Sequence, residues 1–274
     1  MKLALKTARA VAIALLLIFT LAPIYWIAVT SLRPDSEVLR IGASIFPSVW
    51  TLEHYEHLFA ETNVGKFLGN SLIVAILSTA ISVSFSLPAD YAFSRLRYPG
   101  KLADNTRLWI LSTRFIPPFA IAIPLFLFFR DLKLLDSIPG LTLAHTAFSI
   151  PFTLWILQAG FDELPREIEE AGLIDGCDRW QIFTRIALPL AVPSILCATI
   201  FSLLLSWNEF LFALLLTVNK ANTLPLLVSQ FVTDRSLEWG NIAAASAIAS
   251  VPMIFFLIFT QRYLVRGLTA GAVK

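Results

Sequence analysis

The sequence predicts an all-α, polytopic membrane protein with six transmembrane helices, and three observations predict it. Of its 274 residues, 57% are hydrophobic and 15% charged, with a mean hydropathy of +0.74; soluble domains of this size rarely read so apolar. Six apolar runs each approach or exceed the roughly 20 residues that a helix needs to cross a bilayer. The cationic residues between those runs fall mostly on one set of alternate loops. The net charge of +2 gives no reason to expect nucleic acid as a partner. Cys177 and Cys197 show neither metal nor redox spacing and read as small packing residues, with no disulfide framework.

The first run, residues 11–32, follows Lys2, Lys6 and Arg9. A cleaved signal peptide is the rival reading, but the run is too long for an h-region. No small-x-small site precedes Pro23-Ile24-Tyr25-Trp26, so an uncleaved span is expected. Residues 33–66 form a polar, mixed-charge loop. Within it His54 and His57, beside Glu53 and Glu56, superficially resemble a metal site. Two histidines at i, i+3 without further ligands are read instead as a solvated loop, and no metal is expected.

The second run is 67–89, followed closely by Arg95, Arg97, Lys101 and Arg107. The third, 108–129, is interrupted by Arg114, and the fourth is 137–161. The fifth, 191–217, carries Glu209; the sixth, 241–261, is closed by Arg262 and Arg266. The organisation expected is one transmembrane domain over residues 1–274, with core spans at about 67–264.

Six spans put both termini on one side. That side holds Lys2, Lys6, Arg9, Arg95, Arg97, Lys101, Arg107, Arg166, Arg179, Arg185, Arg262, Arg266 and Lys274. The other holds Arg33, Arg40, Lys66, Arg130, Lys133, Lys220 and Arg235. The positive-inside rule therefore assigns the termini and residues 162–190 to the cytoplasm.

Residues 164–193 are the long polar segment between spans that mixes both charge signs with apolar residues at helical spacing. Leu164, Ile168, Ala171 and Gly172 share one face of a helix, with Arg166, Glu167, Glu169 and Glu170 pointing elsewhere. Pro165 suits a first helical turn. Gly172 and Gly176 are expected to break the helix and to admit another backbone closely. A second short helix can begin at Asp178, with Gln181 completing a capping-box-like pair and Trp180, Phe183 and Ile186 as its apolar stripe. Pro189 and Pro193 mark the return to apolar sequence. Two short amphipathic helices between spans read as a docking surface for something outside the bilayer.

Pro88, Pro117, Pro118, Pro124, Pro151 and Pro252 lie within or near spans, where each interior proline frees a carbonyl and kinks its helix. They read either as packing irregularities or as a path lined by bent helices; three in one span, Pro117, Pro118 and Pro124, favour the path. Arg114 sits two turns inside its span, and snorkelling to the near surface is expected. Glu209, after Trp207 and Asn208, is either a hydrogen-bonded packing residue or the lining of a hydrated cavity. His145 reads as a satisfied packing histidine. No phosphate loop, nucleophile elbow, zinc-helix motif or dinucleotide fingerprint is present. No catalysis or cofactor is expected of this chain, and if it does pumped work the fuel is burned by another.

The docking stretch resembles the EAA loop of the permease subunits of bacterial ATP-binding-cassette importers. That pattern is Glu-Ala-Ala, three residues, Gly, nine residues, then Ile-x-Leu-Pro. Here it reads Glu170-Ala171-Gly172, Leu173 to Asp175, Gly176, Cys177 to Arg185, then Ile186-Ala187-Leu188-Pro189. Gly172 departs from the pattern as a small-for-small exchange. More of the chain is similar to the carbohydrate branch, the maltose-type permeases. The pieces are Asn70-Ser71, Ala92-Phe93-Ser94-Arg95, Leu111 to Pro118, Trp207-Asn208-Glu209-Phe210 and Gly267 to Gly271.

This resemblance implies a type I importer permease (MetI-like) fold in the bacterial inner membrane. It also implies two copies of a cytosolic ATPase that binds the ATP, a second related permease, an extracytoplasmic solute-binding protein, and a sugar or sugar alcohol as cargo. The residues it implicates in coupling are Glu170, Ala171, Gly172, Asp175, Gly176, Ile186, Leu188 and Pro189. The last three would pass displacement to the neighbouring spans. A translocation path would involve Pro117, Pro118, Asn208 and Glu209, and the tail from Gly267 to Lys274 would make a second cytosolic contact. A permease for a non-sugar solute and an ion-coupled secondary transporter remain the alternatives. The second would need coupling-ion carboxylates at the midplane, and Glu209 is the one acidic candidate away from the span ends.

Overall fold

A computed structural model describes residues 2–38, 44–96, 98–232 and 238–270, with residues 2–4 and 262–270 as backbone alone. Arg40, Arg97, Arg235, Gly271 and Lys274 lie outside the described residues. The helices, in order, are α1 (Lys2–Thr30), α2 (Asp35–Val38), α3 (Glu53–Glu61), α4 (Val64–Arg95) and α5 (Leu102–Ser112, extended by a 3-10 turn Thr113–Phe115). Then come α6 (Pro118–Asp131), α7 (Ile138–Asp162), α8 (Arg166–Ile174) and α9 (Arg179–Ile182, continued by a π-helical turn Phe183–Ala187). The last are α10 (Leu188–Leu190), α11 (Val192–Trp207), α12 (Leu211–Leu216), α13 (Leu224–Gln230) and α14 (Trp239–Ala270).

Among the described residues, four segments are each long and apolar enough to cross a membrane alone: Leu5–Thr30, Val64–Arg95, Ile138–Asp162 and Trp239–Gln261. The other two expected spans are not single rods. Leu102–Phe115 and Pro118–Asp131 meet at 94°, which replaces the continuous helix expected over 108–129. Pro117 adopts φ −57° and ψ 128°, and Ile116 before it is extended at ψ 122°. A residue before proline is driven out of the α region, so the helix stops at Phe115 and restarts with Pro118 in its first turn.

The run 191–217 likewise ends early, at Trp207. Asn208 Nδ2 turns back to donate to the Leu204 carbonyl at 2.8 Å, and both Glu209 carboxylate oxygens lie 3.0 Å from the Phe212 amide, which donates to them at the start of α12. Side chains that bond their own backbone compete with the helix ladder. At its other end α11 meets Arg179–Leu190 at 76°.

The chain divides into two compact units. One comprises Met1–Phe67 and Leu224–Pro252, the other Leu68–Thr223 and Met253–Lys274. In the first, His54 is buried, with its Nε2 2.8 Å from the Arg33 carbonyl oxygen and its ring over Gly240, where a Cβ would lie 2.1 Å from it. That corrects the reading of His54 as a solvated loop residue: α3 turns it inward against a position with no side chain. His57 is half-buried and pairs with Glu61 at 3.1 Å, one turn on. Arg33 is buried, stacked over Trp26 at 5.2 Å and bonded to the Ser44 carbonyl.

In the second unit α7 is central: 61% of its most apolar window is buried, against 33% for α4. One cluster joins Val74, Phe129, Leu141, Ala144, Phe212, Ala213 and Leu216. Another joins Leu157, Phe161, Phe183, Ala187, Ala191 and Ala198. Between helices in lipid the hydrophobic drive is small, so close packing and polar contacts hold them, each interhelical hydrogen bond contributing about 0.6 kcal/mol on average. Ser78 Oγ donates to Ser206 Oγ at 2.9 Å, and Asn70 Nδ2 donates to the carbonyls of Lys220 and Asn222, each at 2.9 Å. Asp136 Oδ1 accepts the amides of Val218, Asn219, Lys220 and Ala221 at 2.8–3.3 Å.

Candidate functional site

The docking stretch is built as two capped helices joined by a tight turn. Pro165 stands at the N-cap of α8 and just ahead of its first turn. Gly172 does not break α8; the helix runs through it to Ile174. The break belongs to Gly176, at φ +87°. Its amide donates to the Leu173 carbonyl at 3.1 Å, and that of Cys177 to the Gly172 carbonyl at 2.9 Å. These two bonds close a Schellman motif, which needs a residue in the left-handed region at this position. Asp178 then opens α9: its Oδ1 accepts the Gln181 amide at 2.7 Å while Gln181 Oε1 accepts the Asp178 amide at 3.0 Å. The capping box expected from the sequence is present.

The faces differ from the expectation. Glu169 points inward, with Arg95 Nε donating to its Oε1 at 2.6 Å and Tyr91 Oη to its Oε2 at 2.9 Å. Ile168 and Ala171 are exposed instead. Two polar groups at the end of α4 satisfy the carboxylate there, and an apolar-face rule takes no account of them. Gly172 is buried beneath Ile186, whose Cδ1 lies 2.6 Å from where a Cβ would sit.

In the following segment the buried residues are Ile182, Phe183 and Ala187, while Trp180 is exposed and Ile186 half-buried. Of the stripe expected from Trp180, Phe183 and Ile186, the last two turn in and Trp180, near the start of α9, does not; the π turn Phe183–Ala187 then changes the helical phase beyond it. What α8 and α9 leave open is a face made of Glu170, Ala171, Leu173, Ile174, Asp175 and Trp180, with Ile174 87% exposed. Leu188 is half-buried and Pro189 exposed on α10, which leads into α11.

The residues suggested for a path lie at the two breaks: Pro117 and Pro118 between α5 and α6, Asn208 and Glu209 between α11 and α12. Beside the first break is a cavity of about 560 Å³, walled by Arg114, Ile116, Leu125, Phe148 and Phe212 among others. Pro117, Pro118, Asn208 and Glu209 are not among its walls. Arg114 donates to the Phe148 carbonyl at 3.0 Å and lies 3.8 Å over its ring, so it engages a neighbouring helix where snorkelling was expected. Glu209 is held by His145 at 3.3 Å as well as by the Phe212 amide. Asn208 is exposed.

Sequence reasoning missed a polar cluster at the α8 end of the unit. Arg107 Nε donates to Asp90 Oδ1 at 2.9 Å and its Nη1 lies 3.5 Å from Asp162 Oδ2. Ser94 Oγ donates to Asp162 Oδ1 at 2.6 Å. In the sequence Arg107 reads only as a loop charge, and Arg95 as a loop charge and part of the Ala92-Phe93-Ser94-Arg95 piece of the resemblance. The available signal was Asp90, an acid directly after an apolar run, at membrane depth by length.

The family model described as binding-protein-dependent transport system inner membrane component matches residues 92–270. The chain is 35% identical over 262 residues to the trehalose transport system permease protein SugB of Mycobacterium tuberculosis, covering 93% of each. It is 33% identical over 264 residues to the trehalose/maltose transport system permease protein MalG of Thermococcus litoralis, covering 95% of this chain and 94% of that one. Its fold matches a chain of a bacterial ABC transporter involved in the import of the acidic polysaccharide alginate. That match has a TM-score of 0.78 at 22% identity and covers 95% of this chain and 96% of the other.

Proposed function

The chain belongs to the family of binding-protein-dependent transport system inner membrane components, as an integral membrane permease subunit of an ABC importer, and from that premise we propose that its cargo is a sugar or sugar alcohol. The trehalose and maltose names of its relatives support the cargo class. In this reading ATP is bound and hydrolysed by two copies of a separate cytosolic ATPase. A second, related permease completes the pore, and an extracytoplasmic solute-binding protein delivers the solute. The chain itself holds no cofactor and acts as one permease domain. The unequal distribution of Lys and Arg supports an orientation with both termini and residues 162–190 in the cytosol of the bacterial cell.

The observation that carries the reading is the open face of α8, which presents Glu170, Ala171, Leu173 and Ile174 outward on a helix closed at its C-terminal end by the Gly176 turn. Apolar side chains exposed on a short capped helix that is not membrane-spanning fit the groove of a partner protein. Closure of the ATPase pair would displace α8, and Ile186, Leu188 and Pro189 would carry part of that displacement into α11. Alternating access follows if the pore has two packings of similar free energy and ATP biases one. The path is proposed to pass the breaks at Pro117 and Pro118 and at Asn208 and Glu209, where lining backbone groups are free of a continuous helix.

The test is Ile174→Asp, which places a charge on the open face without touching a buried atom. It should abolish co-purification of the ATPase subunits and vanadate-sensitive, binding-protein-dependent uptake, while the permease still inserts. Uptake that persists unchanged with vanadate present would favour the ion-coupled alternative.

A further inference from the structure

The open face of α8 accounts for how a partner could push on the helix, not for what the helix then moves. Ile186, Leu188 and Pro189 offer apolar contacts, which are non-directional. On the opposite face of α8 the structure holds a directional connection. Glu169 accepts from Arg95 Nε at 2.6 Å and from Tyr91 Oη at 2.9 Å, and the Arg95 and Glu169 side chains are 8% and 11% exposed. The rest of the Arg95 guanidinium donates to the Leu164 carbonyl at 3.0 Å and to Ser94 Oγ at 2.9 Å. Ser94 Oγ donates to Asp162 Oδ1 at 2.6 Å, at the end of α7. Asp162 Oδ2 is 3.5 Å from Arg107 Nη1 on α5, and Arg107 returns to α4 through the Asp90 carboxylate at 2.9 Å and its carbonyl at 3.2 Å. Arg166 Nη2 adds a bond from α8 to the Ser94 carbonyl at 3.3 Å.

We propose that Arg95 is a positioning residue that fastens α8 to α4 and, through Ser94, Asp162 and Arg107, to α7 and α5, so that a displacement of α8 carries these helices with it as one body. The placement suits both helices: Arg95 is in the last turn of α4 and Glu169 in the first turn of α8, each opposite in sign to the helix end it occupies. Apolar residues would hold a buried contact of this size as well as an ion pair does. A charged, doubly hydrogen-bonded carboxylate adds a fixed orientation, which a force-bearing joint requires. The proposal rests on the reading of α8 as the docking helix.

The experiment uses the assembled complex of this chain with its partner permease and ATPase subunits in lipid nanodiscs, with ATP and orthovanadate as the trapping probe. Spin labels are placed at Glu167→Cys on α8 with either Asn105→Cys on α5 or Phe19→Cys on α1, which belongs to the other compact unit and is exposed there, in a background lacking Cys177 and Cys197. On trapping, the 167–19 distance should shift while the 167–105 distance stays in place. Arg95→Ala should leave the ATPase subunits bound yet shift or broaden the 167–105 distribution. Arg95→Lys, which keeps a positive charge at the end of α4 and a donor for Glu169, should restore the original 167–105 distribution, a rescue that loss of side-chain bulk alone would not predict.

A 167–105 distance that shifts in the unaltered complex as far as the 167–19 distance overturns the proposal, as does Arg95→Ala leaving it unmoved. If Arg95→Ala fails to assemble, Arg95→Lys decides: assembly with a constant 167–105 distance upholds the joint, and assembly with a 167–105 distance that shifts on trapping removes it. No trapped nucleotide in the unaltered complex would bring down the docking reading itself, and the joint with it.

Discussion

His145 Nε2, in the middle of α7, stands 3.3 Å from Glu209 Oε2 in the gap between α11 and α12. On the other side of the ring, His145 Nδ1 is 2.8 Å from Ser206 Oγ, which already accepts the Ser78 hydroxyl. Ser206 Oγ therefore stands between the Ser78 hydroxyl and the imidazole, with the Glu209 carboxylate at the ring's other nitrogen. One polar line thus links α4, α11, α7 and the start of α12.

Glu209→Ala should uncap α12 at the Phe212 amide and leave His145 without its carboxylate. Loss of a buried partner costs about 1–3 kcal/mol. The thermal midpoint of the purified protein should fall, and Glu209→Gln, which keeps an acceptor, should lose less. Equal midpoints for the two variants would contradict this account of Glu209.

Gly172→Ala should be tolerated and slightly stabilising. The added Cβ meets only the mobile methyl end of Ile186, and alanine gains about 0.5–1 kcal/mol over glycine inside a helix. ATPase co-purification should be retained and the midpoint raised. Gly172→Leu should lift α8 off the Ile182–Ile186 segment and release the ATPase subunits.

At Gly176 the constraint is conformational: no atom lies within 4 Å of a built Cβ, but φ is +87°. Residues with side chains pay roughly 1–2 kcal/mol there, asparagine least. Retention of the ATPase subunits should fall in the order glycine, asparagine, alanine, valine. Valine retained as well as glycine would remove the Schellman turn from the coupling argument.

Asp136 lies between α6 and α7, outside the spans. Burial pushes its carboxyl up, but the four amides of residues 218–221 together hold it below the usual carboxylate range. Because the folded value is depressed, the stabilisation is fully present above the unfolded value of about 3.9 and is lost as pH falls through the folded one. Solvent screening limits it to roughly 1 kcal/mol. The midpoint difference between wild type and Asp136→Asn should be constant near neutrality and shrink in acid below about pH 4.

Features governed by local spacing were legible before any coordinates. The four single-helix spans, the Asp178–Gln181 capping box and the turn at Gly176 each depend on residues within about one turn of one another. Glu169 was misassigned because its partners, Tyr91 and Arg95, lie 78 and 74 residues away. The expected stripe lost Trp180, which stays exposed near the start of α9, ahead of the π turn. The third and fifth runs read as whole spans because composition records apolarity but not direction: the third bends at Pro117, and the fifth stops at the back-bonded Asn208. The carbohydrate-branch resemblance drew on pieces spread along the chain and so survived these local errors.

The π turn also explains why a family pattern should count residues between its glycine and its Ile-x-Leu-Pro end. Each residue added to or removed from a helix rotates everything beyond it by about 100°. An insertion between Gly176 and Ile186 would therefore leave the segment long enough to reach α11 while aiming Glu170 and Ile174 away from any partner below. The nine intervening residues act as an angular setting: mutational scans should find this interval open to changes of side chain and closed to changes of length.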